Sequence, residues 1–229
     1  MQTDKLKVSR LVKKVATYYK SNCQKLNKKY YWKVNTENLP FSNLKLNGSN
    51  LLELNLNLKK VLNRMFFKSS SRAERIAITK YYIYYWGGIH SNAESKIEFY
   101  ATEEVHKIIE LGNKGIASWS KALTARNSKK YAIFDARVSV SLNGLIYNEF
   151  GKNGMYFPLL TTRNEKIKKF HKDFRREIGR EHYLSSDTFY EFYLDIIHAV
   201  AKECNTTISE VEMCLFAFAE EVALNTFKK

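Results

Sequence analysis

Two side chains in this 229-residue chain stand where chemistry is possible, Lys121 and Asp135. Asp135 immediately precedes the apolar run Ala136, Val138, Val140 and Leu142, so its carboxylate sits where it caps a helix and accepts the free N–H groups of the first turn. A carboxylate held that way stays ionised and can stabilise positive charge that develops beside it, or orient a water molecule. A lysine that loses its hydration gives up its proton more readily and becomes an amine nucleophile. Each residue also has a plainer reading: Asp135 as a helix cap alone, Lys121 as a solvent-facing cation or a phosphate contact.

The elements that must position the pair follow from the flanking residues. Gly112 and Gly115 bracket a turn too short for anything but a hairpin between two helices, since only glycine takes positive φ there without steric cost. Glu94 to Leu111 is predicted as one amphipathic helix leading into the hairpin, with Val105, Ile108, Ile109 and Leu111 on its inner side. Ile116 to Ala125 is predicted as the helix that carries Lys121.

A glycine hairpin, a lysine on the following helix and an aspartate at the mouth of the next one resemble the helix-hairpin-helix DNA glycosylases. The strings IASWSKAL and YAIFDARVSVSLN are most similar to the small 8-oxoguanine-glycosylase-fold proteins of bacteria and archaea, some of which act in defence against phages with modified DNA. The resemblance is best from Trp86 to Asn143, extends through Val211 to Phe218, and covers the N-terminal third poorly. It implies an all-α helix-hairpin-helix glycosylase-like fold with a cleft between two helical parts, residues 1–68 and a core of 69–229. It also implies an enzyme that flips a damaged or modified base out of duplex DNA and cleaves its N-glycosidic bond. Asp135 would then stabilise an oxocarbenium-like transition state, and Lys121 would form a Schiff base that leads to strand cleavage. Gly112, Lys114, Gly115, Ser118 and Ser120 would hold a backbone phosphate, and Trp86, Trp119 and Arg137 would line the base pocket. Arg137 has the alternative of pairing with a nearby acid. The chain departs from the family pattern in two respects: a strict overlay on Gly115 puts Trp119 where the lysine belongs, with Lys121 roughly 200° further around the helix, and the separation from Lys121 to Asp135 is a few residues shorter than the usual family spacing.

Composition points the same way. Thirty-eight Lys and Arg against 23 Asp and Glu give a net charge of +15, and 45% hydrophobic residues mark a folded protein that meets a polyanion. A basic ribonucleoprotein component would share that balance. Cys23, Cys204 and Cys214 form no CxxC pair and no cluster with the histidines, so neither a metal nor any other cofactor is expected. Scattered thiols fit a reducing cytoplasm, no stretch is apolar enough to span a membrane, and the protein is expected to act as a monomer.

The remaining chain supplies the frame. Leu11, Val15 and Tyr18 or Tyr19 share one face of a basic N-terminal helix, and Tyr30 to Trp32 reads as a helix-end anchor or a stacking surface. Thr36 to Asn57 is predicted as mostly loop, with a short helix from near Leu51. Arg72 to Trp86 is predicted as a helix buried on most sides and closed by Gly87 and Gly88. Arg163 to Arg176 forms a cationic run. Two amphipathic helices end the chain, the second capped at Thr207 or Ser209 with Glu210 and Glu212 in its acidic first turn. Two other functions compete: a non-catalytic nucleic-acid binder built on the same hairpin, and a nuclease using Glu94 and Lys96, for which no aspartate between Asp4 and Asp135 completes a metal site.

Overall fold

The computed structural model describes residues 2–41 and 44–228, with side chains from Leu6 onward. Its first half runs α1 (Gln2–Asn22), α2 (Leu26–Lys29), α3 (Leu51–Lys68), α4 (Arg72–Lys80) continued by a π-helical turn at Tyr81–Trp86, α5 (Glu94–Thr102), α6 (Val105–Ile109) and α7 (Ile116–Arg126). The second half adds α8 (Ala136–Phe150), α9 (Glu165–Glu177), α10 (Phe189–Glu203), α11 (Ile208–Ala217) and α12 (Ala219–Asn225). Among the described residues the one extended pairing is a single bridge between Tyr156 and Tyr183, and the protein is all-α.

Helix α8 is the axis of the molecule. Every residue from Val138 to Ile146 is buried, although the stretch contains Ser139, Ser141 and Asn143. Those polar groups are tolerated because each is bonded: Ser139 Oγ donates to the Pro158 carbonyl at 2.7 Å, Ser141 Oγ donates to that of Leu215 at 2.6 Å, and Asn143 exchanges two bonds with the Phe157 backbone. Gly144 lets α12 close in, since a Cβ there would stand 2.3 Å from Val222 Cγ1. Helices α1, α9, α11 and α12 pack directly on α8, and α10 joins through α1 and α11.

The larger buried cluster surrounds α8 and includes Leu11 and Val15 of α1, while a smaller one joins Leu58 and Leu62 of α3 to Ile78, Tyr81, Tyr82 and Trp86. Both clusters therefore draw on residues from either side of Lys68.

Three expected elements take a different form. The helix from Leu51 is not short: it runs to Lys68, capped at Asn50, whose side chain accepts from Glu53 N. Glu94 to Leu111 is not one helix, because the chain extends at Glu103 and Glu104 between α5 and α6. Arg126 explains that break, donating through Nη2 to the Tyr100 carbonyl at 2.5 Å and through Nη1 to the Glu103 carbonyl at 2.7 Å. Arg72 to Trp86 ends as a π turn rather than an α-helix, with Tyr81, Tyr82, Ile83 and Trp86 buried. Thr207, by contrast, caps α11 in a reciprocal pair with Glu210, as its sequence implies.

Candidate active site

The segment between α7 and α8 positions Asp135, and α10 holds it down. Tyr190 Oη and Tyr193 Oη, fully buried, donate to the carbonyls of Ala132 and Ile133 at 2.9 and 2.8 Å. Ser120 Oγ, on α7, accepts from Phe134 N at 3.1 Å. The chain thus arrives at α8 in a fixed path, and Asp135 caps it: Oδ1 accepts from Arg137 N at 2.9 Å and Val138 N at 3.0 Å. Both bonds fall on one oxygen, so the lone pairs of the other remain outside the cap.

Lys121 is 5% exposed. Its Nζ donates to the Ala117 carbonyl at 2.7 Å, one turn back on α7. Burial lowers the pKa of this amine; the negative charges of Asp135 and Glu212 oppose the shift, and that of Lys59 adds to it. Gly87 makes room for the side chain, since a Cβ there would lie 2.9 Å from Lys121 Cε and 2.6 Å from the Ile83 carbonyl.

Lys121 and Asp135 line one cavity of about 660 Å³. Its walls include Tyr30, Trp32, Trp86, Ile133 and Phe216, with Gly87 to Ser91 at one side and Thr161 to Arg163 at another. The aromatic wall is braced by a relay of bonds: Asn55 Nδ2 donates to the Trp32 carbonyl at 2.8 Å, Asn55 Oδ1 accepts from Trp86 Nε1 at 2.7 Å, and Trp32 Nε1 donates to the Trp86 carbonyl at 2.9 Å. Trp86 also stacks on Tyr82, their ring centroids 4.3 Å apart. Flat apolar faces of this kind hold a planar heterocycle.

One further charged residue completes the wall, with its partner behind it. Glu212 lines the cavity and pairs with Lys59 of α3, the two side chains being 4% and 2% exposed. Burial raises the Glu212 carboxyl above its ordinary value, with Lys59 acting against it. By sequence Glu212 reads only as a first-turn acid of α11, and Lys59 stands out in no motif. The signal was there in spacing: Glu212 follows Ile208 by one turn on the apolar face of α11, and Lys59 shares the buried face of α3 with Asn55 and Leu62.

The other expected site residues divide. Trp86 and Arg137 line the cavity. Arg137 lies over the rings of Tyr31 and Phe216, donates from Nη2 to Glu220 at 2.9 Å, and keeps Nη1 buried with no partner. Glu220 in turn is held down to about 2, by Lys166 first and then Asn164 and Arg137. Trp119 does not line the cavity: it is fully buried against Tyr190, as its position roughly 200° around α7 from Lys121 requires. Ser120 is buried and spent on the Ile116 carbonyl and Phe134, whereas Ser118, also buried, accepts from Asn92 Nδ2. Gly112 is buried against Ser186, with φ of +57°. The amides of Gly112 and Lys114 are used within the turn, and that of Asn113 on Ser186 Oγ. The hairpin presents Asn113, Lys114 and Gly115 outward, just before α7. Glu94, of the E-x-K pair, is taken by Lys80 at 2.5 Å.

Comparison with protein-family models, with curated proteins and with solved structures finds no match to this chain.

Proposed function

We propose that the protein is a DNA glycosylase that takes a damaged or modified base from duplex DNA into the cavity and cleaves its N-glycosidic bond. The observation that carries this reading is the convergence, on one aromatic-walled cavity, of a desolvated amine at Lys121 and the carboxylate of Asp135. A base stacked against Trp86 places its sugar toward the charged side of the cavity. As the bond to the base lengthens, C1′ becomes cationic, and Asp135 stabilises that charge. Lys121, once neutral, attacks C1′; the base leaves with the bonding electrons and a proton, and the resulting aminal opens to a Schiff base on Lys121. Lys114 and Gly115 hold a phosphate at the hairpin, and the +15 charge supplies the sequence-independent attraction. The protein acts as a monomer, serving base-excision repair or defence against phages with modified DNA.

The cap bonds of Asp135 favour a second reading, in which that residue is structural and the protein binds nucleic acid without catalysis. Incubation with a panel of modified duplexes, scoring free base and abasic sites separately, separates the two. Base release from at least one duplex, lowered on the order of a hundredfold by Asp135→Asn, is the expected result. Duplex binding with no release across the panel refutes the catalytic reading.

A further inference from the structure

A second cavity, about 790 Å³, shares no lining residue with the first. Its lining contains no acid, and four exposed cations converge on it: Lys60 and Arg64 of α3, Lys129 after α7, and Lys202 of α10. Among the described residues none of these four joins an ion pair, whereas Arg10, Lys20, Lys107 and Lys166 elsewhere are matched with glutamates. Glu210, whose charge Lys60 does reach, is turned into the cap of α11 by Thr206 and Thr207. The first residues of α11 also face the groove, adding the positive end of that helix. Phe67 completes the set at 89% exposure, following Lys60 and Arg64 along the same face of α3. The floor is rigid, because Asn63 donates to the Thr124 and Ala125 carbonyls and accepts from Ser128 N.

We propose that this groove is a separate binding site for a single-stranded, phosphate-bearing nucleic-acid segment, with Phe67 as its stacking platform. Unmatched cations spaced along a groove follow a phosphate backbone, and an exposed ring beside them stacks a base without regard to its identity. An acidic protein segment would satisfy the cations and leave the Phe67 ring in water. The site stands independently of the glycosylase reading, since its ligand needs no chemistry.

The test is fluorescence anisotropy of a labelled oligothymidylate of about ten nucleotides, a length within the usual span of such grooves. Lys60→Glu with Arg64→Glu is expected to weaken binding at least tenfold and to flatten its salt dependence, and Phe67→Ala to weaken it roughly fivefold. Lys169→Glu with Lys172→Glu, exposed on α9 and likewise in no ion pair among the described residues, is the charge-matched control and is expected to change binding far less. Equal losses from the groove and control variants overturn the proposal, as does unchanged binding by the groove variants at native helix content. Polyglutamate that binds as tightly, and is lost in the same variants, overturns it in favour of an acidic protein partner.

Discussion

Removing Lys59 is the sharpest probe of how the site is held together. In Lys59→Met the methionine fills the channel that the lysine stem occupied, and buried Glu212 loses its hydrogen-bonded counter-charge, keeping only the weaker attraction of Lys121. Breaking one side of a buried pair costs about 3–5 kcal/mol. For a chain of this size each kcal/mol moves the melting temperature by about 2–4 °C, so the expected loss is roughly 6–20 °C. The loss depends on pH with a definite sign. Burial already lifts the Glu212 carboxyl above 4.5, and Lys59 is the main force holding it down. Without Lys59 the carboxyl rises further, so the folded state binds a proton that the unfolded chain has released. Stability of the variant therefore falls as pH rises from the unfolded value through the raised folded one. The deficit should be smallest near pH 5 and largest near pH 8. Thermal unfolding followed by circular dichroism at both pH values reads it directly, and Lys59→Met with Glu212→Leu should recover most of the loss, since an apolar pair needs no counter-ion. A deficit independent of pH, or a double variant no better than the single one, would refute the reasoning.

Other perturbations test the chemistry. Borohydride should trap a covalent protein–DNA adduct that Lys121→Gln abolishes with the fold intact, because glutamine supplies no primary amine; an adduct of normal yield in that variant would assign the amine elsewhere. Glu212→Gln removes a negative charge that keeps the proton on Lys121, so the pH at which trapping rises should move downward, and an upward move would be inconsistent with the charge arrangement. Gly87→Ala drives a methyl into the Ile83 carbonyl and the Lys121 stem and should cost about 1–3 kcal/mol together with most of the trapping, measured on the same preparation. His171, lowered to about 4 by burial, is a neutral ring that must charge in acid, so stability should fall as pH drops from about 6.5 toward 4; His171→Phe should reduce that slope in an acid titration of unfolding.

How much of this was legible follows from where each signal lies. The cap at Asp135 is written within four residues, and a local signal survives folding unchanged. The burial of Lys121 is not, because it lies opposite the apolar stripe Ile116, Trp119 and Leu123, on a face it shares with Ser118, Ser120 and Thr124 that looks wet. Ser120 and Thr124 bond back to carbonyls one turn earlier, which lets a polar helix be buried. Trp119 invited a pocket role by residue type alone, and only the packing of Tyr190 shows it faces away. Tyr30 and Trp32 were visible as anchor or platform, and their rings serve in the cavity wall. Spacing marks Lys59 and Glu212 each as a charge on a buried face, but the two are far apart in sequence, so no local pattern matches one to the other.

The order in which the cavity is assembled has a consequence during synthesis. Lys121 and Asp135 emerge from the ribosome well before Glu212 and Phe216, which belong to α11 near the end of the chain. Until α10 supplies Tyr190 and Tyr193, only Ser120 of α7 holds the segment that carries Asp135. Until α11 docks on α8, the wall of the cavity that holds Glu212 and Phe216 is missing. Water then keeps the Lys121 amine hydrated and protonated, and a hydrated ammonium does not attack carbon. If the protein acts on DNA as proposed, a half-made chain is basic enough to settle on nucleic acid and yet has no nucleophile with which to damage it. Closing contacts across a long stretch of chain is slow compared with forming its helices, so on the proposed reading reactivity toward DNA waits until α11 has docked.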